Sequence, residues 1–338
     1  MGRIVFQGYG CVSGLGDALV DLKVLYAIKQ LYPNDELVYY YPQTALPLFS
    51  KIAFIDTIID SRATSLDEIR AMNPDIFITI RRKGSFFRYL KTLRFKKAIV
   101  LPHFESFFSR TLTTPFPFFR GKKHFSDIHL KLVRAINPKH YDTNIAQIDF
   151  GKMKEFLPKD ESLTKPFFES VKFSYKKVIG INAFSGYSQS VVAANFFIKS
   201  WIDMACELGR TYPEFLFVLL NFKANAVQFN LTQSPNVRVF VNDENLASLV
   251  SVSSKFDFFI TQVTGNSHLC DILQIPSLVL VNKDGATYRM TGGGGGGGHK
   301  GKCERFIVKA GWQKEYQKVL HDFTQKAKLK CDMLTKMS

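Results

Sequence analysis

The chain has 338 residues, of which 46% are hydrophobic and 32 are Phe. It is therefore long and apolar enough for two packed domains, and its composition is not that of a disordered protein. Its 45 basic and 29 acidic side chains give a net charge of +16, which predicts an anionic partner: nucleic acid, an acidic membrane surface or a phosphorylated substrate. The five cysteines are scattered and form no CxxC pair, which favours a reducing, cytoplasmic setting over a disulfide framework or a zinc site. No signal peptide and no apolar run of about 18 residues is apparent, so neither export nor a membrane-spanning helix is expected.

The first half alternates short apolar strands with amphipathic helices. Arg3–Gln7 predicts a strand, and a glycine-rich loop, an apolar-periodic helix and a strand at 37–41 complete a βαβ opening. Further strands are predicted at 54–59, 75–80 and 97–101, and helices at 65–72, 86–93 and up to 136. The aromatic segment 104–119 is predicted to be an irregular loop with some helix.

The second half repeats this rhythm after a stretch of mixed polarity at 142–170. Strands are predicted at 177–182, 215–220, 237–241, 256–260 and 277–281, and helices at 197–208, 246–252 and 315–328. The predicted fold class is therefore α/β, with two doubly wound halves at 1–165 and 166–338. The seven glycines at 292–298 predict a flexible loop without a catalytic role.

The segment 263–269 runs from a predicted strand through a tight glycine turn into a helix. Thr264 is placed to cap that helix, and free N–H groups behind it, together with the helix dipole, would suit the phosphates of a nucleotide-sugar. His268 lies one helical turn further on. It can face the same ligand as Thr264, or it can be a buried structural histidine.

Asp17 stands at the start of the first helix, just after the carboxyl end of the first strand. It can cap that helix or act as a general base that deprotonates an acceptor hydroxyl. The preceding glycine loop also resembles a dinucleotide fingerprint, but the second strand ends at Tyr41 without the carboxylate that would hold a ribose. No HxxxH or DxD motif occurs, so neither a metal site nor a cofactor is predicted.

Residues 81–123 hold twelve Lys and Arg side chains against the single acidic residue Glu105, with Phe residues interleaved. Three interpretations stay open for this stretch. It can bind single-stranded nucleic acid, it can lie on an acidic membrane and accept a phosphorylated lipid head group, or it can be a solvated basic face over core Phe side chains.

Together these motifs resemble the ADP-heptose:lipopolysaccharide heptosyltransferases of glycosyltransferase family 9. The segment 13–17, Ser-Gly-Leu-Gly-Asp, with its helix ending at Pro33, is similar to the family's S-x-x-G-D start. The segment 264–269, Thr-Gly-Asn-Ser-His-Leu, followed by Ile275-Pro276, is similar to the family's T-G-x-x-H-L and G-x-P. The resemblance implies the GT-B fold, in which an acceptor-binding Rossmann-like domain and a nucleotide-sugar-binding one face a central cleft.

The resemblance further implies an inverting, metal-independent transfer of heptose, or a related sugar, from a nucleotide-diphospho-sugar such as ADP-heptose to a lipopolysaccharide core. Asp17 matches the catalytic base. The implied substrate-binding residues are Ser13, Gly14, Gly16, Ser185, Gly186, Thr264, Gly265, Asn266 and His268. The implied partners are the donor, a phosphorylated lipid A-core acceptor and the anionic inner face of the inner membrane, where the enzyme would be peripheral; no nucleic acid is expected.

The sequence also departs from the family pattern. Val263 stands where the family has Asp, the loop 185–195 lacks the usual phosphate-binding Lys, and Asn282-Lys283-Asp284-Gly285 replaces F-G-x-T. Lys283 is a candidate for the missing charge. These departures motivate an alternative function, a GT-B protein that binds nucleotide-sugars but has lost or altered its transfer activity.

Overall fold

The computed structural model describes residues 2–8, 15–41, 46–107, 109–115, 125–183, 195–223, 231, 234–243, 245–282 and 303–336. They form two compact units, the first ending at Pro158 and the second beginning at Lys159, ahead of the boundary predicted after residue 165. Within the described residues, each unit is built on a parallel six-stranded sheet. None of the described helices is long and apolar enough to cross a membrane.

The first unit has its six strands in the order β3-β2-β1-β4-β5-β6, all parallel. The strands are β1 (Arg3–Gln7), β2 (Glu36–Tyr41), β3 (Thr57–Asp60), β4 (Ile76–Thr79), β5 (Ala98–Val100) and β6 (Leu112–Thr113). The helices are α1 (Leu15–Leu31), α2 (Leu46–Phe49), α3 (Leu66–Ala71), α4 (Gly84–Leu93), α5 (Phe104–Phe107), α6 (Phe125–Arg134) and α7 (Pro138–Asn144), followed by 3-10 turns at Ile145–Gln147 and Phe150–Phe156.

The central strands of this sheet are buried on both faces, as expected for a parallel sheet covered by helices. Phe6 of β1 and Phe77 of β4 are fully buried, and α1 is buried along most of its length. Local signals start the helices: Ser65 and Glu68 form a reciprocal capping box ahead of α3, with 3.2 Å from the Glu68 N–H to the Ser65 Oγ. Such consistency between local signals and burial explains why the α/β alternation was readable in the sequence.

The second unit arranges its strands as β12-β11-β10-β7-β8-β9. The strands are β7 (Lys177–Asn182), β8 (Phe215–Phe222), β9 (Val237–Asn242), β10 (Phe258–Gln262), β11 (Ser277–Asn282) and β12 (Cys303–Val308). The helices are α8 (Glu161–Glu169), α9 (Ile198–Thr211), α10 (Leu246–Ser253), α11 (Gly265–Ile272) and α12 (Tyr316–Lys336), with a 3-10 turn at Trp312–Glu315. Counted along its own chain, this is the same strand order as in the first unit, so the predicted α/β fold class of two doubly wound halves is confirmed.

The core of the second unit is aromatic and includes the last helix. Phe196 packs edge-on against Trp312, with ring centroids 5.6 Å apart, and against Phe323 of α12 at 5.5 Å. The hydroxyl of Tyr212 donates to the carbonyl of Lys328 at 2.8 Å, and Cys331 is fully buried. These contacts explain why α12 continues to Lys336, past the predicted end at 328.

Two edge strands were not predicted. β6 has only two residues and lies inside the aromatic segment that was interpreted as a loop. β12 pairs with β11 along its whole length. Its burial alternates because it is an edge strand. Edge strands this short or this polar give little periodic signal. The run 292–298 lies outside the described residues.

Candidate functional site

Each sheet reverses its strand order once, next to its own first strand. The reversal lies between β1 and β4 in the first unit and between β7 and β10 in the second. In open parallel sheets, ligands bind outside the carboxyl ends of the strands at such a switch point. Asp17 follows β1, and Thr264 follows β10, so two of the sequence-predicted residues lie at the switch points of their own units.

Asp17 is exposed on the first turn of α1, and Gly16 beside it is partly buried. Its carboxylate is close enough to Tyr39 and Tyr41 of β2 to help raise the pKa of both hydroxyls, after the larger effects of burial and of Asp21. Both tyrosines therefore stay protonated at neutral pH. Ser13 and Gly14 lie outside the described residues.

A buried polar cluster lies one helical turn beyond Asp17 and was missed by sequence analysis. The Asp21 side chain is 1% exposed and accepts a hydrogen bond from the Tyr39 hydroxyl at 3.1 Å. The Nδ1 of His129 on α6 lies 3.8 Å from the second Asp21 oxygen. Burial, with a smaller effect of the Arg82 charge, lowers the pKa of His129 to about 3, which keeps the ring neutral at pH 7. The i, i+4 spacing of the two aspartates was the available signal.

Gly8 makes this close packing possible. A Cβ at this position would lie 2.3 Å from Asp21 Oδ2 and 2.6 Å from Tyr41 Cδ2, distances that no real side chain tolerates. The glycine that had suggested a dinucleotide fingerprint therefore has a packing role: it lets α1 carry its aspartates close to the ends of β1 and β2. The first switch point thus has an exposed carboxylate, Asp17, one helical turn before the buried carboxylate of Asp21, and the exposed one can accept a proton.

Thr264 caps α11, as predicted. Its Oγ1 accepts from the Asn266 N–H at 3.2 Å and from the Asn182 Nδ2 at 3.2 Å. Ser267 closes the turn from the other side, because its Oγ donates to the Thr264 carbonyl at 2.7 Å and accepts from the Thr264 N–H at 3.3 Å. The capping box joins α11 to the end of β7 through Asn182.

The capping box corrects the prediction that the N–H groups of this turn are free. The Asn266 N–H is bound to the Thr264 side chain, and the Ser267 N–H donates to the Thr264 carbonyl at 3.1 Å. Thr264 and Gly265 are partly exposed, whereas Asn266 and His268 are buried, at 4% and 9% exposure. The accessible part of the turn is therefore the Thr264–Gly265 edge. A ligand could reach His268 only through the small exposed fraction of its side chain.

The second switch point also contains hydrogen bonds of side-chain amides that sequence analysis did not find. The Ala183 carbonyl, just past β7, accepts from Gln262 Nε2 at 3.0 Å and from Asn195 Nδ2 at 3.3 Å. The Asn195 Oδ1 accepts in turn from the indole N–H of Trp201 at 2.9 Å. These bonds join Ala183 to Asn195 and Gln262. The predicted donor residues Ser185 and Gly186, and the candidate Lys283, lie outside the described residues.

Val263, the departure from the family pattern, has a packing role here. It is partly buried and packs against Val279 and Val281 of β11. An aspartate would bring a charge to this apolar contact. Within the described ranges, no three His, Cys, Asp or Glu side chains are grouped so that they could hold a metal ion.

The chain matches known proteins in structure but not in sequence. No protein-family model matches the sequence, and no curated protein sequence is a significant match. Among solved structures, the chain is similar to a glycosyl transferase of family 9 from Veillonella parvula DSM 2008, with 14% identity over 95% of this chain and 89% of that one, at a TM-score of 0.65. The fold is that of the family 9 glycosyltransferases.

Two further structures share this GT-B fold. E. coli ADP-heptose lps heptosyltransferase II is 12% identical, covering 96% of this chain and 99% of that chain at a TM-score of 0.62. The E. coli heptosyltransferase WaaC with ADP-2-deoxy-2-fluoro heptose is also 12% identical, covering 91% and 93% at a TM-score of 0.53. The likeness establishes the predicted fold, and at this level of identity the chemistry has to be argued from the two switch points.

Proposed function

We propose that this protein is an inverting glycosyltransferase that moves a heptose, or a related sugar, from a nucleotide-diphospho-sugar to a phosphorylated lipopolysaccharide core. The proposal is carried by one observation. The same strand order occurs twice, and its two switch points carry complementary groups: the exposed carboxylate of Asp17 in one unit and the capped turn at Thr264 in the other. The WaaC structure, which contains an ADP-sugar analogue, supports ADP-heptose as the first donor to test.

Asp17 is the proposed general base. Its carboxylate takes the proton from the acceptor hydroxyl while that oxygen forms a bond to the anomeric carbon. The bond from the anomeric carbon to the nucleotide diphosphate breaks on the opposite side, so the configuration inverts. Its exposure keeps Asp17 accessible to an acceptor, and its charge is near enough to Tyr39 and Tyr41 to raise the pKa of both hydroxyls.

Thr264 is the proposed contact for the donor diphosphate. A hydroxyl has one hydrogen and two acceptor sites, and here both acceptor sites are used by Asn266 and Asn182. Within the described residues, the hydroxyl hydrogen is left to donate, and the positive end of the α11 dipole favours an anion there. Gly265 completes this proposed contact, together with the small exposed fraction of His268, and the buried Asn266 is included by resemblance. Ser185 and Gly186 join it by resemblance, as Ser13, Gly14 and Gly16 do for the acceptor side.

The test of this function is the Asp17→Asn variant. We expect turnover to fall by a factor on the order of 100 or more, because an amide cannot accept the proton, while donor affinity and thermal stability stay unchanged. The exposed position of Asp17 makes a folding defect unexpected. Turnover at the wild-type level would remove Asp17 from the mechanism.

The alternative function, nucleotide-sugar binding without transfer, is favoured by the apolar packing of Val263. A thermal-shift screen with ADP, UDP, GDP and CMP sugars identifies the donor, because a ligand that binds the native state raises the melting temperature. Assays with the stabilising donor and extracted core lipid then separate the two functions. Stabilisation without product favours the binding protein, whereas product formation that depends on Asp17 favours the transferase.

The membrane is the proposed place of action. The net charge of +16 favours an anionic surface, and a lipid-linked acceptor would present its sugar there. We propose that the protein is peripheral on the cytoplasmic face of the inner membrane and does not bind nucleic acid as part of its function.

A further inference from the structure

Two phenylalanine rings on the short helix α5 are exposed to solvent. Phe104 is 74% and Phe107 is 62% exposed, among the highest values for large apolar side chains in the described residues. Because they are three residues apart, they lie on one side of the helical turn. Exposed apolar groups that are adjacent and fixed are characteristic of an interaction surface. We refer to these two residues as the Phe pair.

The helix that carries the Phe pair is anchored to the first unit. The His103 ring stacks on the fully buried Phe87 of α4, with ring centroids 4.7 Å apart and an interplanar angle of 19°. The buried Ser106 donates its hydroxyl to the His103 carbonyl at 2.6 Å, and Lys91 of α4 donates to Glu105 at 3.1 Å. The inward side of α5 is therefore held by Ser106 and the flanking His103. These contacts hold α5 so that both rings of the Phe pair face the solvent.

The stretch of sequence that contains the Phe pair is strongly basic. Between residues 81 and 115 the sequence has nine Lys and Arg side chains and one acidic residue, Glu105. That carboxylate is already engaged by Lys91 and lies 3.6 Å from the Arg88 guanidinium. Lys83 and Arg88 are exposed. This stretch therefore carries a net positive charge, and α4 and its N-cap contribute the exposed cations Lys83 and Arg88, which an anionic surface would complement.

We infer that the Phe pair and the cations around it form a docking surface for an anionic lipid bilayer. The rings would enter the boundary between head groups and acyl chains, while Lys83 and Arg88 would meet lipid phosphates. Single-stranded nucleic acid is bound by rings that line a basic groove, whereas these rings project from a helical turn. The inference rests on the proposed function only in taking the acceptor to be a membrane lipid.

The test measures binding of the full chain to vesicles at physiological salt. Mixed phosphatidylglycerol and phosphatidylcholine vesicles should sediment the protein, and pure phosphatidylcholine vesicles should not. The double variant Phe104→Ser/Phe107→Ser should bind the mixed vesicles about tenfold more weakly, because it removes most of the apolar area that would be buried. The matched control is Phe197→Ser in the second unit, which removes a ring that is 73% exposed and should bind like the wild type.

A second arm tests the charges separately. Lys83→Gln and Arg88→Gln should each weaken binding to the mixed vesicles about fivefold, since a cation near an anionic surface contributes about 1 kcal/mol. All these variants change exposed side chains, and unchanged melting temperatures would confirm that they fold.

Three results would overturn the inference. The double variant could retain vesicle binding, Phe197→Ser could lose it equally, or a single-stranded oligonucleotide could bind at physiological salt through the Phe pair. Vesicle binding is measured without a sugar donor. If the protein binds vesicles through the Phe pair but transfers no sugar, only the proposed transferase function is contradicted. If it transfers sugar but does not bind vesicles, only the proposed docking surface is contradicted.

Discussion

Replacing Thr264 by Val tests the second switch point most directly. Valine has nearly the same shape as threonine, so the change removes one oxygen and little else. That oxygen caps α11 through the Asn266 N–H and holds the Asn182 amide, both at 3.2 Å. Thr264→Ser is the matched control, because it keeps the oxygen and loses only a methyl group.

The expected loss of stability follows from those two contacts. Removing an N-cap oxygen costs about 1 kcal/mol, and withdrawing the acceptor from a buried amide donor costs about 1 kcal/mol or more. Asn182 is fully buried, so water cannot replace the lost bond. We therefore expect Thr264→Val to lower the free energy of unfolding by about 2 kcal/mol. For a unit of this size, that corresponds to a fall in melting temperature of roughly 4 to 8 °C.

The same variant tests donor binding. Thermal-shift titration with an ADP-sugar should show weaker binding to Thr264→Val, because the hydroxyl hydrogen that would meet a phosphate oxygen is gone, and near-normal binding to Thr264→Ser. Equal melting temperatures for Val, Ser and wild type would refute the role of the oxygen in the cap. Equal donor affinity in a destabilised Val variant would leave Thr264 as a structural residue only.

Three further predictions concern packing, hydrogen bonding and pH. Gly180→Ala should lower the free energy of unfolding in urea by about 2 kcal/mol, because the new methyl would lie 2.3 Å from the buried Phe256 ring. Gly84→Ala is the control and should cost nothing, because its methyl would lie 3.5 Å from His103 Cε1. Equal losses in the two variants would contradict the packing. Asn236 donates to three backbone carbonyls at 3.0 to 3.1 Å, so Asn236→Asp should cost about 3 kcal/mol at pH 7. The loss should shrink at pH 5 as the carboxyl, whose pKa these carbonyls raise, becomes protonated and can donate; an equal loss at both pH values would refute this. The pKa of His129 is lowered to about 3 in the folded protein, so below about pH 6.5 only the unfolded chain gains a proton there. The free energy of unfolding should therefore fall by about 2 kcal/mol from pH 7.5 to pH 5. His129→Gln should abolish that part of the pH dependence.

The sequence was sufficient for the fold class and for the cap, because both depend on local patterns. Buried strands bounded by turn signals are legible along the chain, and the Thr264 cap is defined by residues three positions apart. The strand order could not be read in this way. The strand order is the same in both units because of pairings such as β1 with β4 and β7 with β10. These pairings join residues about 70 to 80 positions apart in the sequence.

The buried parts of both switch points were also beyond sequence reasoning. Asp21 meets Tyr39 and approaches His129 only because Gly8 lets α1 pack tightly against the strand ends. Asn182 is joined to Thr264 across 82 positions of sequence, and nothing local marks it as a partner. Each is an ordinary polar residue in an apolar context, and only the fold shows which polar groups meet.

The two switch points share a strand order but differ in chemistry, and that difference supports a division of labour. The first has carboxylates with protonated tyrosine hydroxyls, a set that suits proton removal and would repel a diphosphate. The second, in its described residues, is lined by amides and hydroxyls such as those of Asn182, Gln262 and Thr264, a neutral set that can donate hydrogen bonds to an anion. A neutral site provides little long-range attraction, so if the diphosphate binds there, its affinity should depend only weakly on salt. A steep salt dependence would instead point to a cation outside the described residues, and Lys283, next in sequence after β11, is the first to replace with Gln.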